Sequence, residues 1–332
     1  MAELPFPAWD PVLLNLGFLQ IRWYSLMYVV GFVAGHMILS RLAKARFFPL
    51  AQERVADLIF WLVLGVILGG RVGYCLFYRP ELLATWQVIA VWEGGLSFHG
   101  GLLGVVIAAV AFSYKHRVSG WRVLDSLALA VTPGIFAVRL ANFINGELYG
   151  RICSTMDPFQ ASAAPPWAMR FPTDPVALQQ LGIPVGAGIR EREAQMREAF
   201  GTGQWEQIQL QVPLRHPSQI YEAIGEGLIA GLVLLIVYRL TRHRPLGSGV
   251  YGGLFALLYG GSRFVVEYFR QPDAQFRDPD AGDHLGTVLM GFTMGQVLCA
   301  AMIAYGLLAV GLRWRKRDGL REDPAPAPPA QA

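Results

Sequence analysis

The sequence predicts an all-α polytopic membrane protein of about seven transmembrane helices, with an external head segment between helices 4 and 5. Three observations carry that prediction. Hydrophobic residues make up 54% of the 332-residue chain against 16% charged, and its mean hydropathy is positive, a balance that marks an integral membrane protein rather than a large soluble core. The apolar residues fall in stretches long enough to cross about 30 Å of hydrocarbon at about 1.5 Å per residue. Lysine and arginine gather in alternate connections, as the positive-inside rule requires of a chain that crosses repeatedly.

In order, the spans run approximately Leu19–Leu42, Ala56–Tyr78, Leu96–Tyr114, Leu124–Ile144, Gln219–Leu240, Val250–Phe269 and Met290–Trp314. Each is apolar on most faces. Gly31/Gly35, Gly65/Gly69 and Gly227/Gly231 place small residues four apart, a spacing that lets helices approach closely and says nothing about chemistry. Arg41, Lys44, Arg46 and Arg54 surround the first connection, Lys115, Arg117 and Arg122 the third, Arg239, Arg242 and Arg244 the fifth, and Arg313, Arg315, Lys316 and Arg317 follow the last span. The N-terminus is therefore expected outside and the C-terminus in the cytoplasm.

Residues 1–314 read as a single membrane-embedded domain, 146–217 as its external head or lid, and 315–332 as a disordered Pro/Ala-rich cytoplasmic tail. Within the head, Glu193 and Arg197 have helix-pair spacing and Gly201 can end that helix. The net charge of +4 reads as topology, so no nucleic-acid partner is expected. Three cysteines, Cys75, Cys153 and Cys299, fit neither a disulfide framework nor a zinc site. No cofactor, metal or removed signal peptide is expected.

The polar residues inside these spans carry the chemistry. The fourth span runs unbroken into Arg139-Leu-Ala-Asn142-Phe-Ile-Asn145-Gly146-Glu147-Leu-Tyr-Gly150-Arg151. An arginine within hydrocarbon costs about 2.5–3.5 kcal/mol on insertion scales and marks either a functional site or a side chain snorkelling to the interface. Asn142 and Asn145 follow near the same helical face. Arg71, Arg139 and Arg263 each fall about 7–11 Å below the external end of their spans. His99, among glycines in Ser97-Phe98-His99-Gly100-Gly101, opens the third span from that side, and Tyr24 opens the first. Guanidinium forks just below headgroup level suit the phosphate of a lipid. Arg263 and Glu267 are spaced for a pair on one face, with Arg270 continuing it; Glu222 and Glu226 stack one turn apart and can neutralise the arginines. His99 is either a proton acceptor or a satisfied interfacial histidine. A lipid transporter or flippase also places charge in spans, but needs a polar path into the cytoplasmic half.

These motifs, with Ile21-Arg22-Trp23-Tyr24, Gly69-Gly-Arg71-Val-Gly73-Tyr74, His216-Pro217-Ser218-Gln219-Ile-Tyr221-Glu222 and Arg263-Phe-Val-Val-Glu267-Tyr-Phe-Arg270-Gln271-Pro272-Asp273-Ala274-Gln275-Phe276, closely resemble the bacterial prolipoprotein diacylglyceryl transferase family. The resemblance departs at Ala137-Val138, where the family usually has glycine just before the arginine, and in a longer external segment. It implies an inner-membrane enzyme with its site toward the periplasmic leaflet. That enzyme would move the diacylglyceryl group from phosphatidylglycerol to the lipobox cysteine of a preprolipoprotein, releasing glycerol phosphate. It further implies that Arg139, with Asn142, Asn145, Gly146, Glu147 and Arg71, holds the headgroup. Arg263 would steady the leaving phosphate, Glu267 would orient Arg263, and His99 and Tyr24 would stand at the reacting centre.

Overall fold

Apolar runs of this length become helices because hydrocarbon offers no partner for an unpaired backbone group. A computed structural model describes residues 4–7, 9–16, 20–91, 95–153, 164–184, 188–244, 246–271 and 287–316, without the side chains of Phe98, His99, Ile189, Arg190 and Thr287. Its long elements are helices α1 (Trp23–Lys44), α2 (Arg54–Phe77), α3 (Phe98–Lys115), α4 (Gly120–Ile144), α8 (Ser218–Glu222), α9 (Ala230–Thr241), α10 (Val250–Val266) and α11 (Met294–Arg313). A π-helical segment, Ala223–Ile229, joins α8 to α9, making one apolar helix from Ser218 to Thr241. Among the described residues five helices are long and apolar enough to cross a membrane: α1, α2, α4, the α8–α9 helix and α11. Two more apolar helices, Gly100–Lys115 and Val250–Val266, are shorter. Leu68, Leu103, Ile236 and Leu307 stand exposed along their helices, as lipid-facing side chains do.

Two short hairpins shift the expected span ends. Strand β1 (Val12–Asn15) pairs antiparallel with β2 (Gln20–Arg22), so the first helix starts at Trp23 rather than Leu19. β3 (Thr287–Leu289) pairs with β4 (Phe292–Thr293) across Gly291, at φ 79°. The last helix therefore starts at Met294 rather than Met290. Its start is fixed by a reciprocal cap, Thr293 N–H to Gln296 Oε1 at 3.1 Å and Gln296 N–H to Thr293 Oγ1 at 3.2 Å. α10 stops at Val266, short of Phe269, because the Phe269 carbonyl accepts from Arg151 N–H at 2.7 Å and Arg270 bridges Gly150.

The chain divides into two compact units, Met1–Gly31, Thr132–Val233 and Ala256–Tyr305 forming one, and Phe32–Val131, Leu234–Phe255 and Gly306–Ala332 the other. The second is held by a glycine seam between α2 and α3. A Cβ on Gly65 would lie 2.5 Å from the Gly104 carbonyl oxygen and one on Gly69 2.4 Å from that of Gly100, so any larger residue there pushes the helices apart. In the first unit, a Cβ on Gly227 would meet Phe136 at 2.7 Å.

Between α4 and α8 the first unit also carries helices α5 (Pro175–Gln180), α6 (Ile189–Gly201) and α7 (Gln204–Ile208). Ala177, Trp205 and Val212 form a small core with Phe200 and Ile208 against it. Arg215 forms an ion pair with fully buried Asp174, and its guanidinium lies over the Tyr149 ring, 5.0 Å from the ring centre. The expected Glu193–Arg197 pair does not form: Glu193 pairs with Arg22 and Arg197 with Asp10. An i,i+4 pair contributes only a few tenths of a kcal/mol, so partners fixed by tertiary packing displace it.

Candidate active site

The asparagine–glycine–glutamate motif is a helix end that folds back on itself. Gly146 N–H donates to the Phe143 carbonyl at 2.9 Å and Glu147 N–H to that of Asn142 at 3.0 Å, which terminates α4 in a Schellman motif. That motif needs a left-handed residue, and Gly146 supplies it at φ 65°. The reversal turns the Glu147 carboxylate toward α4, where the amides of Asn142 and Asn145 both donate to its Oε1 at 3.1 Å. Gln219 Nε2 donates to the Glu147 carbonyl at 2.7 Å and Ser218 Oγ to the Leu148 carbonyl at 3.0 Å. The start of α8 is thereby tied to the end of α4.

That tie brings two glutamates to Arg139. Its Nη1 lies 3.1 Å from Glu222 Oε2 and its Nη2 3.1 Å from Glu226 Oε2. Both glutamates are completely buried, and Glu226 lies in the π-helical segment, whose wider turn is a frequent feature of functional helices. Gly225, the residue before it, lets α10 approach closely, since a Cβ there would collide with Ser262 Oγ. From α10, Arg263 reaches the other Glu222 oxygen through Nη1 and Glu267 Oε2 through Nη2 at 3.3 Å. Arg270 Nε lies 3.6 Å from Glu222 Oε1. Arg139 and Arg263 thus meet on one carboxylate.

Glu267 is seated against the start of α11. Thr293 Oγ1 donates to its Oε1 at 3.1 Å, and a Cβ on Gly295 would lie 2.7 Å from its carboxyl carbon, so a larger residue there would push the carboxylate aside. Tyr24 has its hydroxyl 3.2 Å from that of Tyr28 and lies within electrostatic reach of Glu147 and Arg139.

In the second unit Arg71 has backbone partners. Its Nε donates to the Val88 carbonyl at 3.2 Å, Nη1 to that of Gly95 at 3.1 Å and Nη2 to that of Gln87. Its guanidinium sits 5.7 Å from the Tyr74 ring centre. This clamp holds the segment leading into α3, and Ser97 N–H adds a bond to the Gly70 carbonyl at 2.8 Å. Ser97 Oγ caps α3 by accepting from Gly100 N–H at 3.3 Å. His99 is the second residue of α3; its side chain, and the motif residues 92–94 and 272–276, lie outside the described residues.

Sequence reasoning treated Glu222 and Glu226 only as neutralising charges and passed over Tyr259 altogether. Tyr259 lies one turn before Arg263 on α10, within electrostatic reach of Arg139, Arg263, Glu222 and Glu226, and its i,i+4 spacing to Arg263 was the signal. Beside the site, burial pushes the Cys153 thiol up to about 12 and holds His216 below the usual histidine value. Among the described residues no group of His, Cys, Asp and Glu is arranged to hold a metal ion.

Apolar helices around a buried arginine–glutamate network define a helical, multi-pass bacterial membrane protein with a polar centre. A family model described as prolipoprotein diacylglyceryl transferase matches residues 11–312. The chain is similar to the phosphatidylglycerol--prolipoprotein diacylglyceryl transferase of Erythrobacter litoralis, 41% identical over 317 residues, covering 95% of this chain and 93% of that protein. It is also similar to those of Geobacter sulfurreducens, at 40% over 318 residues with 95% and 100% covered, and Ruegeria pomeroyi, at 40% over 324 with 92% and 96% covered. The chain belongs to the prolipoprotein diacylglyceryl transferase family.

Proposed function

We propose that this enzyme transfers the diacylglyceryl group of phosphatidylglycerol to the lipobox cysteine of a preprolipoprotein. A carbon–sulfur bond forms at the glyceryl carbon as its bond to the phosphate oxygen breaks, and glycerol phosphate leaves with the electron pair. The observation that carries the reading is the meeting of Arg139 and Arg263 on Glu222, inside a helical membrane protein. Two planar forks from separate helices can hold a phosphate by paired charge-assisted bonds, and in a dry site such preorganised charge contributes most to stabilising a departing anion.

In this reading Arg139 binds the headgroup, with Asn142, Asn145, Gly146 and Glu147 shaping the pocket. Arg263, aimed by Glu267, stabilises the phosphate as it leaves. Arg71 contributes its charge and the segment it clamps. Tyr24 and His99 serve the transfer itself: arginine charge favours the thiolate of the incoming cysteine, and His99 accepts its proton. The two shorter apolar helices complete seven spans. The N-terminus lies in the periplasm and the C-terminus in the cytoplasm of a bacterial inner membrane, with the site in the outer leaflet and residues 146–217 as a periplasmic head. The positive residues of alternate connections support that orientation.

The test is incubation of the full chain in detergent micelles with phosphatidylglycerol and a lipobox peptide. The expected result is a diacylglyceryl mass gain on the peptide cysteine, with glycerol phosphate in solution. Lipid moved across proteoliposomes with no covalent product would instead establish a transporter.

A further inference from the structure

The arginine network contains its own counter-anion. Glu222 has a side chain with no exposed surface, yet its carboxylate lies against Arg139 at 3.1 Å, Arg263 through Nη1, and Arg270 at 3.6 Å. Among the six residues of the network, Arg139, Arg263 and Arg270 are balanced by Glu222, Glu226 and Glu267, so their formal charge sums to zero. The arginine side chains keep 13–17% of their surface exposed while the glutamates keep 0–5%. The carboxylates therefore sit behind the guanidinium groups, and an incoming anion meets the forks first.

This arrangement acts differently on substrate and product. A phosphodiester lipid carries one negative charge, whereas the phosphate monoester left after transfer carries up to two near neutral pH. Forks without internal carboxylates would hold the dianion most tightly, and a site that grips its product turns over slowly. We propose that Glu222, shared by both forks and Arg270, is the positioning residue that limits affinity for the phosphate monoester and so sets its release. The inference rests on the transferase reading above.

The experiment measures inhibition of peptide lipidation by added glycerol phosphate, with neutral glycerol as control, for wild type, Glu222→Gln and Glu222→Asp. In Glu222→Gln the inhibition constant should fall about tenfold or more, and Glu222→Asp should restore it to within about threefold of wild type. An inhibition constant unchanged or raised in Glu222→Gln, in a wild type that lipidates the peptide, overturns the inference and leaves the transferase reading standing. A wild type that adds no mass to the peptide overturns both. If Glu222→Gln does not fold, Glu226→Gln decides: it removes one charge from the same balance and should lower the constant by a smaller factor, and no change there overturns the inference.

Discussion

Two buried arginine clusters in the first unit are built in opposite ways. Between α4 and α8, Arg215 is the one cation among the described residues paired with Asp174; it also donates to the Gly150 carbonyl at 3.4 Å and Gln271 Oε1 at 3.3 Å, and covers the Tyr149 ring. Among the apolar helices, Arg139, Arg263 and, just past the end of α10, Arg270 converge on the single carboxylate of Glu222. The Arg215 side chain is 7% exposed, against 17% for Arg139. A guanidinium whose donors are consumed by fixed partners is a structural tie, whereas forks that divide carboxylates and keep open surface can take a further anion. Chemistry is read from how the donors are distributed and what surface they keep, since both clusters pair arginine with a fully buried carboxylate.

The sharpest way to break this contrast is to remove the carboxylate partner of Arg215. Asp174→Ala leaves Arg215 buried without a counter-charge, a change that costs about 3–5 kcal/mol in comparable sites. It also removes the cap that accepts from Val176 N–H at 2.9 Å. Thermal denaturation should show the loss, while activity per folded molecule stays within about threefold of wild type. A stable Asp174→Ala protein with no activity would put Arg215 in the active site.

The converse substitution keeps charge and removes only the fork. Arg263→Lys should lower kcat about 10²-fold, about 2.7 kcal/mol of transition-state stabilisation, because an ammonium cannot bridge Glu222 and Glu267 while presenting paired donors to phosphate. Near-normal turnover in Arg263→Lys would leave His99 as the larger contributor. Arg71 is the intermediate case, its fork directed to the neutral carbonyls of Gln87, Val88 and Gly95. Arg71→Lys should therefore lower kcat about tenfold through the loosened segment and leave KM for phosphatidylglycerol within about twofold. A tenfold rise in KM with kcat intact would make the fork itself a headgroup ligand.

How much of this was legible in the sequence follows from where each partner lies. The Arg263–Glu267 pair and the end of α4 at Asn145-Gly146 are local, so spacing and turn chemistry announce them. Glu222 as the meeting point of two helices is not local: its spacing to Glu226 is visible, but its distance to Arg139 depends on a π-helical turn and on packing. The carbonyl partners of Arg71 have no signature at all, because every residue offers the same acceptor. Short hairpins were hidden for another reason. In Thr287-Val-Leu-Met-Gly-Phe-Thr293 apolar residues continue those of the following helix, and only Gly291 marks the turn.

The smallest effect concerns the joint between Trp167, His216 and the start of α8. His216 Nδ1 lies 3.1 Å from the Tyr221 hydroxyl, which accepts from Trp167 Nε1 at 2.6 Å. A neutral His216 can take the Tyr221 hydroxyl proton at Nδ1 while the indole donates to the Tyr221 oxygen, an arrangement that a protonated ring gives up. The His216 ring also meets Phe269 edge-on at 5.1 Å, and burial depresses its pKa below 6.5. An unfolded chain takes up this proton near pH 6.5 while the folded protein refuses it until lower pH. The stability contributed by neutral His216 is thus complete above about pH 6.5 and is lost as pH falls through the folded value. The thermal midpoint of wild type should drop between pH 7.5 and 5.5 by more than that of His216→Gln, whose amide keeps a polar group there and cannot titrate. Parallel curves would mean that the proton is accommodated, and that this joint, unlike the Arg215 tie, is loose enough to admit water.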